Sequence, residues 1–412
     1  MCRSIFLLLT ALLVGALGAA CTLPTDSDGQ AMTCTDTLGC VEVAADEPVT
    51  VVAMHVLSGP VSFFGQDSTG GIEIAIDDYG DLLGHEINLI FEDSQCNAEG
   101  GQTAAQKAAA NAAVVGVLGT SCSSAATAAL PIISEAGLSM ISSANTSPTL
   151  TEADPAKGGV WQPGYYRTAH NDLFQGRLAG EFAYNQLGAR TAATIHDGSP
   201  YADSLQQVMA DVFTELGGRI TYQGAVNVGD TEMLPILTEI ATDPPDVLFY
   251  PIFQPEVNFV TDQIQGVSGL EDTILMAADA AFSSDIMANT GESILGLYLT
   301  SPLVVGDKYE ELLAKWDAKY GGLPPSAFHG HSYDATMMLL QTIESVAQDD
   351  GSGNLLIGKQ AIRDALSAIS GFSGITGNLS CSDTGDCATG EALGVYQIND
   401  MEAWPPEIVL PE

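Results

Sequence analysis

Residues 114–143 read VVGVLGTSCSSAATAALPIISEAGLSMISS. VVGVLG is an unbroken apolar run of strand length, SSAATAALPIISEAG carries apolar residues at helical spacing, and LSMISS is a second short run. Strand, helix and strand in such a short stretch form a crossover unit, which makes the strands parallel and covers the sheet with helices. The same alternation extends outward. Upstream stand the strands VTVVAMHVLSG (from Val49) and INLIFED, separated by the helical STGGIEIAIDDYG and followed by QTAAQKAAANAA. Downstream a second series begins near Arg167: LFQGRLAGEFAYNQLG, TAATIHD, YADSLQQVMADVFTELGG, ITYQGAV, MLPILTEIAT, DVLFYPIF, PEVNFVTDQIQGVSG and TILMAAD. Two series predict an α/β chain of two Rossmann-like lobes. The expected division is 49–167 with 301–374 for lobe 1, and 168–300 with 375–412 for lobe 2. Crossings near Arg167, Thr300 and Gly374 would make a multi-strand hinge.

Length agrees with two lobes, since 412 residues exceed one typical domain. The charge is one-sided, 52 acidic against 12 basic residues for a formal net of −40. Nucleic acid is excluded as a partner, because phosphate contacts need clustered Lys and Arg, and anionic headgroups are repelled likewise. The acidic excess reads as a solvated surface suited to a salty environment.

The N-terminus reads as an export signal over residues 1–20. Met1-Cys2-Arg3 is a short basic start, Ile5 to Leu17 an apolar run too short to span a bilayer, and Gly18-Ala19-Ala20 precede Cys21. Cys21 is the expected lipidation site and membrane anchor, although the position three before it is Gly18 where the lipobox usually has Leu. Residues 21–48, polar and turn-rich, read as a tether. Six further cysteines suit an exported chain with disulfides. Cys34–Cys40 and Cys381–Cys387 are local candidates, which leaves Cys96–Cys122. No Cys-x-x-Cys or Cys/His spacing argues for zinc.

Ligands of open α/β sheets bind beyond the carboxyl ends of the strands, so the residues there carry the chemistry. Thr120-Ser121-Cys122-Ser123-Ser124 leads into a helix and offers hydroxyls and unpaired amides to an anion, against the plainer reading of a serine N-cap. Ala144-Asn145-Thr146-Ser147-Pro148 is a polar turn. Tyr201 follows TAATIHD, Phe253 ends DVLFYPIF, and Asp279 follows TILMAA, where a carboxylate can meet an ammonium group. Anion donors from one lobe and a carboxylate from the other complement a zwitterion.

These stretches resemble the leucine/isoleucine/valine-binding proteins, the type I periplasmic binding proteins of branched-chain amino acid importers. The likeness runs from about Val49 to Ile398 and is clearest in GTSCSSAATAALPIISEAGLSMISSANTSPTLT, with LSGPVSFFGQDSTGGIEIAI, IHDGSPYADSL, DVLFYPIFQPE and ILMAADAAF in support. It implies a Venus-flytrap fold, capture of an amino acid for the membrane subunits of an ABC importer, no cofactor, no metal, and a monomer. It implies the Cys96–Cys122 disulfide too. By the same resemblance Ser123 and Thr146 hold the ligand carboxylate. The Ala144 carbonyl, the Thr146 hydroxyl and Asp279 hold its ammonium, and Tyr201 closes over it. Phe64, in the loop FFGQD, together with Phe253 and Phe328, stands near the ligand side chain, the alternative for the last two being core packing. The family often has Glu where this chain has Asp279.

Three rival readings fit the sequence less well. A serine hydrolase fails because Gly119-Thr-Ser-Cys-Ser123 breaks G-x-S-x-G at its last position and no histidine is paired in a motif. His329-Gly-His331 offers half a metal site without a third ligand. The same fold binding amides or urea, or serving as an extracellular sensor, is the nearest alternative; an amide needs no ionised Asp279, and a sensor would continue into a membrane helix beyond Glu412.

Overall fold

In the computed structural model of this protein, residues 32–388 and 392–410 are described; the expected signal segment and Cys21 lie outside them. Two sheets organise the chain. The first has five parallel strands in the order Ile87–Asp93, Val49–His55, Val114–Gly119, Met140–Ser142, Tyr165–Arg167. Val49–His55 is buried at every residue, as its unalternating run requires of an inner parallel strand covered on both faces. The second sheet has seven strands, in the order Glu407–Leu410, Leu393–Gln397, Tyr298–Pro302, Ile274–Ala277, Val247–Phe249, Thr191–His196, Arg219–Ala225. Its last five are parallel, and the two at the other edge are antiparallel additions from the end of the chain. The result is the two-lobe α/β architecture expected from the sequence. Among the described residues no helix is long and apolar enough to cross a membrane.

Each sheet is covered by helices whose apolar faces enter its core. Helix His329–Val346 gives Ala335, Met338, Leu339, Leu340 and Ile343 to the first lobe. Helix Pro200–Glu215 gives Leu205, Met209 and Phe213 to the second. Fully burying each of these Leu, Ile, Met and Phe side chains is worth about 1.5–3 kcal/mol. The three disulfides join Cys34 to Cys40, Cys96 to Cys122 and Cys381 to Cys387.

Three stretches lie elsewhere than their sequence suggested. The tether reading of 21–48 is too long, because Cys40–Val43 is a strand paired antiparallel with Leu355–Gly358, itself unrecognised in the sequence. Val41 and Val43, alternate residues on one face, enter the first core. The Asp36 carboxylate accepts the Gln360 and Ala361 amides at 3.0 Å each. It thereby satisfies orphan donors at the start of helix Lys359–Ser367. Residues 375–388, expected with lobe 2, pack on lobe 1, with Leu379 and Cys387 in its core. Phe64 belongs to helix Ser62–Tyr79 and not to a loop.

That helix starts close against the first sheet. A Cβ at Gly65 would stand 1.8 Å from the Val56 carbonyl oxygen, so only glycine lets the helix approach there. Gly65→Ala is expected to cost about 1–3 kcal/mol, the usual range for overpacking a tight contact. Urea unfolding measures it, and an unchanged midpoint would refute the close approach.

Candidate functional site

A narrow cavity lies between the lobes beyond the strand ends. The first lobe lines it with Phe64, Ser121, Cys122, Ser123, Ala144 and Phe328, the second with Tyr201, Phe253, Asp279 and Ala280. Seven of the expected residues therefore share one cavity. Thr146 does not line it. That residue is buried behind the wall, where its carbonyl accepts the Asp172 amide at 3.0 Å and its side chain stands beside the Asp172 carboxyl.

On the first-lobe side, Cys122 is the N-cap residue of helix Ser123–Glu135, and Ser123 is the helix's first residue. The earliest intrahelical bond runs from the Ala126 amide to the Cys122 carbonyl, so the amides before it have no helical partner. The Cys96–Cys122 bridge ties this turn to the turn after Ile87–Asp93. The neighbouring turn is held by hydroxyls. Ser142 Oγ accepts the amides of Ala144 at 3.2 Å and Asn145 at 2.9 Å, and Ser123 Oγ accepts that of Ser147 at 3.4 Å.

On the second-lobe side, Ser199 caps helix Pro200–Glu215 by accepting the Ala202 amide at 3.1 Å, with Pro200 at the first helical position. This sets Tyr201 in the first turn. Its hydroxyl donates to Asp279 Oδ1 at 2.6 Å and accepts the Ala280 amide at 3.3 Å. Asp279 opens a short 3₁₀ turn, and its carboxylate caps no backbone amide of that turn. Gln175 Nε2 donates to the same Oδ1 at 2.8 Å and to the Thr300 carbonyl at 3.0 Å. His170 Nε2 donates in turn to Gln175 Oε1 at 2.6 Å. Among the described residues no donor reaches Asp279 Oδ2.

The charges around this carboxylate are unbalanced. Among the described residues Asp279 forms no ion pair, and the buried Arg167 is paired with Asp386. Asp172 is fully buried, with the Thr146 side chain beside its carboxyl. Burial, then the Asp279 charge, lift its pKa well above the usual carboxylate range. Burial and the same charge push the Tyr201 hydroxyl well up, so it stays a donor. The opposite end of the cavity is apolar. Phe64 lies edge-on to Phe253 with centroids 6.1 Å apart and tilted against Phe328 at 6.0 Å, within a cluster that includes Val56 and Val61.

Among the described residues the arrangement pairs no serine of the cavity with a basic imidazole. Ser123 Oγ accepts the Ser147 amide, and among the described residues no histidine is bonded to it. Ser121 Oγ lies 2.9 Å from His55 Nδ1, but burial lowers that ring's pKa to about 3, and its other nitrogen has no partner. Such a ring takes no proton at neutral pH. Both His329 nitrogens are engaged, by Asp67 Oδ1 at 3.0 Å and the Tyr309 hydroxyl at 2.9 Å. Among the described residues no group of three or more His, Cys, Asp and Glu gathers as a metal site.

Gln175 and Asp172 do not stand out in the sequence as site residues. Gln175 left a trace, since it shares the buried face of its helix with Gly176, Ala179 and Gly180. A long amide on a small-residue face has to be hydrogen-bonded.

The chain has known relatives. The family model for periplasmic binding proteins matches residues 48–402. The Leu/Ile/Val-binding protein homolog 1 of Brucella abortus (strain 2308) is 26% identical over 335 residues, covering 80% of this chain and 85% of that protein. A leucine binding protein from Thermotoga maritima has a similar structure, with a TM-score of 0.75 at 24% identity over 86% of this chain and 96% of that one. A solute binding protein of an ABC transporter from R. palustris, solved with benzoate, reaches a TM-score of 0.70 at 18% identity, over 85% and 93% of the two chains.

Proposed function

The chain belongs to the periplasmic binding protein family, whose members are substrate-binding proteins and not enzymes, and from that premise we propose that it captures a branched-chain or other hydrophobic amino acid between its lobes. It would deliver that ligand to the membrane subunits of an ABC importer, outside the cytoplasmic membrane and tethered through a lipid on Cys21. The observation that carries the ligand class is Asp279, a carboxylate buried at the cavity with one oxygen unpaired and no cationic side chain assigned to it. A buried carboxylate of that kind calls for a cation from the ligand. Ser123 and the unpaired amides at its helix start suit the ligand carboxylate, and Phe64, Phe253 and Phe328 suit an aliphatic side chain. The names of the Brucella abortus and Thermotoga maritima relatives agree with this choice. An aromatic acid such as the benzoate of the R. palustris protein would leave Asp279 without a counter-charge.

The polar groups are split between lobes, which makes binding a closure. The ligand docks on the Ser123 lobe, and the lobe carrying Tyr201 and Asp279 swings over it, a hinge motion driven by contacts made only in the closed state. The lobes already touch around the site, where Ser147 Oγ donates to the Pro200 carbonyl at 3.1 Å and Ser326 Oγ to that of Phe282 at 2.9 Å.

A thermal-shift screen against the amino acids, short amides, urea and benzoate tests the ligand class, because a ligand far above its Kd raises the melting temperature by mass action. Stabilisation by leucine, isoleucine or valine supports the proposal. Stabilisation by amides or benzoate alone overturns it. Ser123→Ala is expected to weaken amino acid binding about tenfold or more, the loss of one hydrogen bond to a charged group. Calorimetric titration measures this, and an unchanged Kd would remove Ser123 from the carboxylate site.

A further inference from the structure

Arg167 ends the last strand of the first sheet, is fully buried, and sits where the chain leaves for the second lobe. Its Nη1 donates to the Asn145 carbonyl at 3.1 Å and the Ser147 carbonyl at 2.8 Å, and its Nη2 to Thr151 Oγ1 at 2.8 Å. Nε is bonded to Asp386 Oδ1. The guanidinium thus grips from behind the same turn that puts Ala144 in the cavity wall.

Asp386 lies within the short loop closed by Cys381–Cys387. That loop is stitched onto the end of the first sheet. The Arg167 amide donates to the Gly385 carbonyl at 2.9 Å, the Cys387 amide donates to the Arg167 carbonyl at 3.1 Å, and residues 167 and 386 form a parallel bridge. Gly385 has φ +87°, and a Cβ there would stand 2.0 Å from the Tyr165 carbonyl oxygen, so the loop docks only with glycine at that point. Asp386 Oδ2 accepts from Thr151 Oγ1 at 2.9 Å and from Asn171 Nδ2 at 3.0 Å. Asn171 caps helix Asp172–Glu181, accepting the Leu173 amide at 3.0 Å, and this helix carries Gln175 to Asp279. One carboxylate is therefore bonded, through single side chains, to the supports of both halves of the cleft.

We propose that Asp386, held in the Cys381–Cys387 loop, is a positioning residue for the ligand cleft, fixing the 144–147 turn through Arg167 and the Gln175 helix through Asn171. The inference rests on the cleft being the ligand site. It assigns the loop a task beyond closing the sheet edge, and it makes affinity depend on a disulfide whose cysteines do not line the cavity. The arrangement is a contiguous hydrogen-bonded network, of the kind in which substitutions change coupling between sites about tenfold.

The test compares wild type, Asp386→Asn and Cys381→Ser/Cys387→Ser by hydrogen exchange without ligand, then by calorimetric titration with the amino acid found in the screen. In both variants the amides of 144–147 and 171–175 are expected to exchange roughly tenfold faster, while those of Ile87–Asp93 and Arg219–Ala225 keep their rates. Kd is expected to rise roughly tenfold, and Asp386→Glu, which keeps the charge, to recover most of it. Uniformly faster exchange would show a merely structural pair, and unchanged local exchange or an unchanged Kd would overturn the proposal outright. If Asp386→Asn does not fold, the double cysteine variant decides alone. If wild type binds no amino acid, the ligand reading falls, and the exchange experiment still judges whether Asp386 holds both walls.

Discussion

Asp279→Ala is expected to raise the Kd for the amino acid by about a hundredfold or more, while leaving the ligand-free protein as stable as before. The first half follows from enclosure. A ligand ammonium taken out of water between closed lobes needs a matched charge, and truncating one member of a buried, hydrogen-bonded charge pair costs roughly 2–5 kcal/mol. The second half separates a binding role from a structural one. Asp279 stands near the fully buried Asp172, whose pKa is lifted first by burial and then by the Asp279 charge, so the substitution removes repulsion. Gln175 keeps its bonds to Thr300 and His170, and the loss of the Tyr201 hydroxyl's acceptor, about 1 kcal/mol, offsets that relief. Asp279→Asn preserves shape and loses charge, and should bind nearly as poorly as Asp279→Ala. Asp279→Glu keeps the charge one methylene further out and should retain most of the affinity. Titration calorimetry with parallel urea unfolding reads both quantities. Lost affinity with an equal loss of stability would make Asp279 a structural residue.

Raising sodium chloride from 0.1 to 1 M is expected to increase the melting temperature by on the order of 10 °C, as the Debye length shrinks from about 10 Å to about 3 Å. The cause is self-repulsion of a folded surface whose negative charges have too few partners. With 52 acidic residues and 12 basic ones, pairing every cation would still leave forty carboxylates unmatched. Several cations are themselves spent on backbone carbonyls, Arg190 on Tyr184 and Ala189, Lys359 on Ala136, and Arg363 on Ser134 and Leu138. Surface pairs such as Lys107–Glu92 and Arg219–Asp243 are exposed and contribute little each. Compaction concentrates like charge, which salt screens. Sucrose at matched osmolality, which stabilises without screening, serves as the control. A melting temperature insensitive to salt would mean the acidic excess is spread too thinly to repel.

The parts of this molecule that were readable from sequence are those in which one short stretch carries its own explanation. VVGVLG followed by SSAATAAL shows strand, cap and helix in succession, and the cavity residues Ser123, Tyr201 and Asp279 each follow a strand by a few positions, where an α/β sheet presents its ligand. What stayed hidden depends on distant segments. Asp36 is a turn residue until residues 358–361 supply the helix start it caps. The loop containing Asp386 reads as a free hairpin until Arg167 is placed beside it. Thr146 stands in the right turn, yet the approach of the Asp172 helix turns its carbonyl and side chain to the rear of the wall. Phe64 reads as a loop residue in FFGQD, whereas it opens a helix whose Gly65 allows a close helix-to-strand approach.

The most direct test of the central claim is titration of the purified protein with leucine, leucinamide and N-acetylleucine, which share a side chain and differ in charge. A cleft that matches a zwitterion with Asp279 on one side and the Ser123 helix start on the other binds leucine and rejects both derivatives by about a hundredfold or more, since each leaves one buried polar site unpaired. Binding of N-acetylleucine as tight as that of leucine would contradict the account, because the Asp279 carboxylate would then face no cation at all.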